Sequence, residues 1–164
     1  MRRLTISGNA CAETLAVLIT MAWADGRLDE AERAGVRAAS SVFNLTKELR
    51  ARLDTMLEKP SPLDLSRLDT LSPRDRAFAY VAAAWMSAID DDVEKREAAL
   101  LDHLGSRFGF DGGRRTELER IARDLDRGLP GARDWSSELA KLFRAIPPLL
   151  VEELSDDEYE VAFE

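Results

Sequence analysis

The chain has a single cysteine and a single histidine in 164 residues. With Cys11 alone there is no internal disulfide, and such cysteine usage fits a reducing compartment. A lone thiol also offers no paired redox site. His103 lies beside Leu104 and near Leu100 in a helical stretch. No serine or cysteine is spaced with it in a nucleophile motif, so it reads as a structural or surface residue rather than a base. No apolar run approaches the roughly 20 residues that a membrane-spanning helix needs. The opening MRRLTISGNACAETLAV lacks a long apolar h-region and soon meets Glu13, so no signal peptide is expected and the expected location is cytoplasmic. There is no basic patch with interleaved aromatics, which disfavours nucleic acid as a partner. Gly112-Gly113 lack the lysine-serine or lysine-threonine continuation of a phosphate loop. Strict apolar–polar alternation is absent except at Tyr159–Phe163, which reads as a helical turn or an edge strand.

What the chain does have is helical periodicity, with 45% hydrophobic residues to build a core. Leu15, Leu18, Ile19 and Ala22 share one face. Phe78, Val81, Ala82, Trp85, Met86 and Ile89 form the cleanest stripe, at steps of three and four. Similar stripes run through Leu28–Phe43, Leu49–Leu57, Val93–Phe108, Leu118–Leu125 and Trp135–Ile146. Thr46, Ser72 (ahead of Pro73) and Asp111 are placed to cap helix starts. Gly128, Pro130 and Gly131 interrupt the pattern, and Pro147-Pro148 end the last helix. A short helix is expected near residues 62–70. Cys11 reads as a small buried hydrophobe, and Trp23 and Trp85 as core residues.

A shift of 65 residues lays Met21 on Met86, Asp25 on Asp90, Leu28 on Val93, Glu32 on Glu97, Val36 on Leu101 and Phe43 on Phe108. The expected fold is all-α: a single domain over 1–164, internally duplicated, a pseudo-symmetric bundle of about seven to nine helices. The repeat cores are 10–45 and 75–110, an accessory helix lies in 128–151, and 152–164 is an acidic tail. That tail holds seven acids and no base, within a net charge of −8. Such tails are usually solvated, and some dock on a basic partner.

The acids at the two seams are the candidate site. Glu32 and Glu97 fall on inward-facing stripes, where a lone carboxylate is costly. Asp25 and Asp90 come at the C-terminal ends of helices, where the helix dipole disfavours negative charge. Three kinds of partner are open. Asp29-Glu30-Ala31-Glu32 and Asp91-Asp92-Val93-Glu94 read as capping boxes. Arg27, Arg33, Arg96 and Arg107 are candidate counter-charges. A bound metal is the third, and all-oxygen donors select Ca²⁺ or Mg²⁺ over zinc. The ligands would be Asp25, Glu32, Asp90 and Glu97, with Asp29 and Glu94 second. The spacing misses the EF-hand pattern.

Ala24-Asp25-Gly26 followed by Glu32, with Asp90 and Glu97 at a second corner, resembles the TerB family of tellurite-resistance domains. Asp91 stands where the second corner would have its glycine. The resemblance covers roughly residues 10–127. It implies an all-helical, duplicated, cytoplasmic, non-enzymatic domain with a divalent cation at its clustered acids, a role in stress response, and membrane-linked assemblies as partners. Carboxylates repel an oxyanion, so direct tellurite capture is not expected. The alternative is a metal-free protein-interaction module that uses its acidic C-terminal tail. An enzyme would need a deep pocket at His103 or the acids.

Overall fold

A helix that is apolar on every side has no face to give to water and must lie inside the protein. Two helices of this chain are of that kind, and they set the architecture. The structure is a computed structural model and describes residues 2–23, 30–43, 45–59, 65–88, 95–128, 141–147, 150 and 159–163. In chain order the elements are β1 (Arg2–Ile6), α1 (Gly8–Ala22), α2 (Glu30–Val42), α3 (Lys47–Glu58), α4 (Leu65–Leu68), α5 (Pro73–Ala88), α6 (Lys95–Arg107), α7 (Gly112–Gly128) and β2 (Tyr159–Phe163). Residues 141–147 are helical as well.

Every residue from Ala10 to Ile19 of α1 is buried, as is every residue from Ala77 to Trp85 of α5. The expected stripes Leu15, Leu18, Ile19 and Phe78, Val81, Ala82, Trp85 are all inside, but so are the other sides of both helices. Alanine is frequent on both, at Ala10, Ala12 and Ala16 and at Ala77, Ala79, Ala82, Ala83 and Ala84. α1 packs on α5 and α3, and α5 packs on α1, α6 and α7. The outer helices are amphipathic and bury one side only: Leu53, Met56 and Leu57 of α3, Leu101 and Leu104 of α6, Leu118 and Ala122 of α7.

The starts form where capping residues place them. Ser7 Oγ accepts from Ala10 N–H at 3.1 Å, Thr46 Oγ1 from Leu49 N–H at 3.2 Å, Ser72 Oγ from Asp75 N–H at 3.2 Å and Asp111 Oδ1 from Arg114 N–H at 2.7 Å. α6 stops at a Schellman turn: Phe110 N–H reaches Gly105 O and Gly109 N–H reaches Ser106 O, with Gly109 at φ +76°. Only glycine takes that φ without strain.

The helical class holds for the body of the chain, with one addition. β1 and β2 pair in parallel from Arg2↔Tyr159 to Ile6↔Phe163, so a two-stranded ribbon joins residues far apart in sequence. The register sets Arg3 opposite Glu160. The chain has a strand at Arg2–Ile6, where none is expected; Tyr159–Phe163 takes the edge-strand alternative, so that part of the segment read as an acidic tail is paired. The reason is that pairing with β1 satisfies those peptide groups and sets Phe163 against the core. Phe43 stacks on Phe143 at 4.5 Å and meets the edge of Phe163 at 4.8 Å, while Phe143 meets Phe78 at 5.0 Å. This aromatic cluster holds the helical segment 141–147 and β2 to α2 and α5.

Phe43→Ala is expected to cost about 3–5 kcal/mol, roughly 10 °C in Tm for a chain of this size. A chain ended after residue 158 is expected to melt lower as well, because it lacks β2 and Phe163. Thermal melts followed by circular dichroism measure both.

Candidate functional site

The two acidic seams fall between α1 and α2 and between α5 and α6. Asp25, Asp29, Asp90 and Glu94 lie outside the described residues, as do Arg27 and the side chain of Arg96. Glu32 is the third residue of α2 and Glu97 the third of α6; their side chains are likewise outside the description. What the structure does fix is the frame. A 65-residue offset carries the bounds Glu30–Val42 of α2 onto Lys95–Arg107 of α6, and the start of α3 at Lys47 onto the start of α7 at Gly112. Glu32 and Glu97 are therefore each the third residue of a 13-residue helix.

The first seam is pinned at its entrance by Trp23. Its indole N–H donates to Met56 O at 2.9 Å, near the end of α3, and the Arg33 guanidinium lies over the ring at 5.8 Å. Arg33 was a candidate counter-charge for the acids, and its position over Trp23 keeps it next to that seam. Arg107 is elsewhere. Its Nε and Nη2 each donate to one oxygen of Asp69. That fork places it against the turn after α4 and corrects its reading as a seam counter-charge. The Arg107 bond is the main reason the Asp69 carboxyl is held below its ordinary value.

Elsewhere several of the described acids, among them Glu13 and Asp102, are matched by arginine. Glu13 is fully buried on α1, and Arg52 of α3 grips it through Nη1 to Oε1 at 2.6 Å and Nη2 to Oε2 at 3.3 Å. Arg67 stands 3.9 Å from Oε1. Burying a carboxylate this completely is sustainable only with such a bidentate partner. On the other side of α5, Arg115 of α7 donates through Nε to Tyr80 Oη at 2.9 Å and through Nη2 to Asp102 Oδ1 at 2.6 Å. Tyr80 O–H donates in turn to Glu119 Oε1 at 3.0 Å. Burial is the main cause that pushes the Tyr80 phenol above its usual value. Gly105 makes this crossing possible: a Cβ there would sit 2.8 Å from Arg115 Cδ and Nε.

His103, Ser106, Arg107 and Asp69 line an open depression of about 510 Å³. Both carboxylate oxygens of Asp69 accept from Arg107 there. Cys11 is fully buried and its thiol is pushed up to about 12, first by burial and then by the Asp75 charge. It is inert at neutral pH. Among the described residues no group of three or more His, Cys, Asp or Glu side chains is placed to hold a metal ion. No helix among them is long and apolar enough to cross a membrane.

The sequence reading missed two features. It met Glu13 only as a polar interruption of an apolar run; a lone acid inside a helix otherwise apolar on every side was the available signal. The glycine at 105, inside a helical stripe, was the corresponding signal for Arg115.

The profile of a protein family of unknown function, DUF533, matches residues 7–122. No curated protein and no solved structure matches the chain.

Three outcomes test this electrostatic frame. Glu13→Ala is expected to cost about 3 kcal/mol because Arg52 is left without its partner, and Glu13→Met with Arg52→Met is expected to recover most of it; urea melts measure both. Gly105→Ala is expected to destabilise wild type by about 1–2 kcal/mol yet to become neutral or stabilising beside Arg115→Ala, where helix propensity alone decides. For Cys11, folding holds the thiol protonated, so stability is full below its ordinary value of 9.0 and falls as pH rises toward about 12. Cys11→Ala should remove that part of the alkaline loss, and a thiol reagent should label native protein only after unfolding.

Proposed function

The chain belongs to the DUF533 family, and from that premise we propose a non-enzymatic, TerB-like stress-response domain that holds a divalent cation at its two acidic corners. The ligands are Asp25, Glu32, Asp90 and Glu97, with Asp29 and Glu94 in support, and oxygen donors of this kind suit Ca²⁺ or Mg²⁺. The proposal includes a pseudo-symmetric relation between the two helix-pair units, a cytoplasmic location and a protein partner in a membrane-associated assembly. Direct tellurite binding is not part of it, since clustered carboxylates repel an oxyanion.

The observation that carries this reading is the shared frame of the corners. α2 and α6 have the same length and begin at equivalent positions, so acids of matching sequence place, Glu32 and Glu97, open both helices. The described acids Glu13, Asp69 and Asp102 each meet an arginine. An acid pair recurring at both corners asks for a counter-charge of its own. Support for a non-enzymatic role comes from the burial of the lone cysteine, Cys11.

A second reading rests on β2. In sequence, the acids from Glu152 to Glu158 directly precede β2, which is paired with β1. That composition suits a metal-free interaction module whose acidic C-terminal segment meets a basic partner.

Calorimetry of chelator-treated protein with Ca²⁺ and with Mg²⁺ separates the two. The cation reading expects binding heat and stabilisation of about 2.7 kcal/mol at a free cation concentration 100 times Kd. Both should be lost in Glu32→Gln with Glu97→Gln. No heat and no shift in Tm with either ion contradicts it. Replacing the acids of residues 152–158 by their amides should leave cation binding unchanged and, on the second reading, abolish partner capture.

A further inference from the structure

The 65-residue offset that relates the two corners carries Trp23 onto Ala88 and Arg33 onto Ala98. Arg33 and Ala98 are each the fourth residue of their helix, directly after Glu32 and Glu97. The first corner thus has an indole and a guanidinium where the second has two methyl groups. Trp23 closes α1, its indole N–H is tied to Met56 O at 2.9 Å, and its ring centre lies 5.8 Å from the Arg33 guanidinium. Arginine keeps its proton in such a place, so a full positive charge is fixed at the entrance of the first seam. Arg33 Nε is buried and has no hydrogen-bond partner among the described residues, unlike Arg107, whose fork Asp69 fills.

The local charge follows the same asymmetry. Residues 24–33 hold four acids and two bases, a net −2, whereas the equivalent residues 89–98 hold five acids and two bases, a net −3. Arg33 is one of the two bases of the first corner. Ala98 is exposed and leaves its place in the second corner uncharged. A cation fixed beside one group of carboxylates weakens the pull of that group on another cation.

We propose that Arg33, seated on Trp23, is the built-in counter-cation of the first corner, and that the second corner, with Ala98 in the equivalent place, is the one that takes the divalent cation. This rests on the cation reading and makes the two corners unequal. One is neutralised from within the chain and the other from solution, and positions 33 and 98 decide which.

Calorimetry of chelator-treated protein with Ca²⁺ and with Mg²⁺ tests this, with circular dichroism melts to check that each variant is folded. Glu97→Gln is expected to weaken binding about tenfold or more, and Glu32→Gln less than about twofold. Ala98→Arg should weaken it about tenfold as well. Arg33→Ala placed in the Glu97→Gln protein should restore binding, now at the first corner. Equal weakening by Glu32→Gln and Glu97→Gln overturns the inequality and leaves the cation reading standing, and so does a dissociation constant indifferent to Ala98→Arg. If neither ion gives heat with wild type, the cation reading falls and stability decides the role of Arg33. Arg33→Ala should then lower Tm at about 50 mM salt and lose most of that effect at about 1 M, where charges are screened beyond about 3 Å. A loss equal at both salt concentrations overturns the role, because it reports packing on Trp23 and not neutralisation.

Discussion

The constraint on which this structure depends is the mutual burial of α1 and α5. Each is apolar on nearly all sides, so neither can sit at a surface. Placing them side by side leaves flanks that must be covered, and the amphipathic α3 and α7 cover them from the two sides. The alanines keep the two axes free of bulky side chains where the helices are most enclosed. Trp85, Tyr80 and Phe78 are among the largest side chains fully buried in the core. The rest of the molecule is a response to this pair. The aromatic cluster of Phe43, Phe143, Phe78 and Phe163 brings in the C-terminal elements, and the ribbon ties the two ends of the chain together.

The same constraint dictates the polar interior. A helix buried on every side has nowhere to put a carboxylate except against a cation, so Glu13 and Arg52 form a bidentate pair between α1 and α3. On the opposite flank Tyr80 brings a hydroxyl into the seam between α5 and α7, and Arg115 reaches it across the surface of α6 at Gly105. The two polar contacts thus differ in chemistry: a bidentate ion pair at Glu13 and a tyrosine-centred chain at Tyr80. The polar contacts are particular to each side.

Local features were legible in the sequence. Thr46, Ser72 and Asp111 cap helices where their positions indicate, and the stripe from Phe78 to Trp85 is buried, because capping and periodicity act over a few residues. The ribbon was not legible in full. Tyr159–Phe163 showed alternation, but its partner lies at the other end of the chain and nothing local marks Arg2–Ile6 as its mate. Arg107 was misread for a similar reason: its sequence place suggested the second seam, whereas the fold delivers Asp69 to its fork. The 65-residue offset between Glu32 and Glu97 was readable in the sequence and matches the offset between the bounds of α2 and α6; Asp25, Asp29, Asp90 and Glu94 lie outside the described residues.

Native-state hydrogen exchange tests the central claim, that α1 and α5 are the last elements to open, most directly. The account predicts that amides from Leu15 to Ile19 and from Val81 to Trp85 exchange slowest, and only through global unfolding, while α3, α6 and α7 open at lower free energy. Faster exchange in α1 or α5 than in the amphipathic helices around them would contradict it.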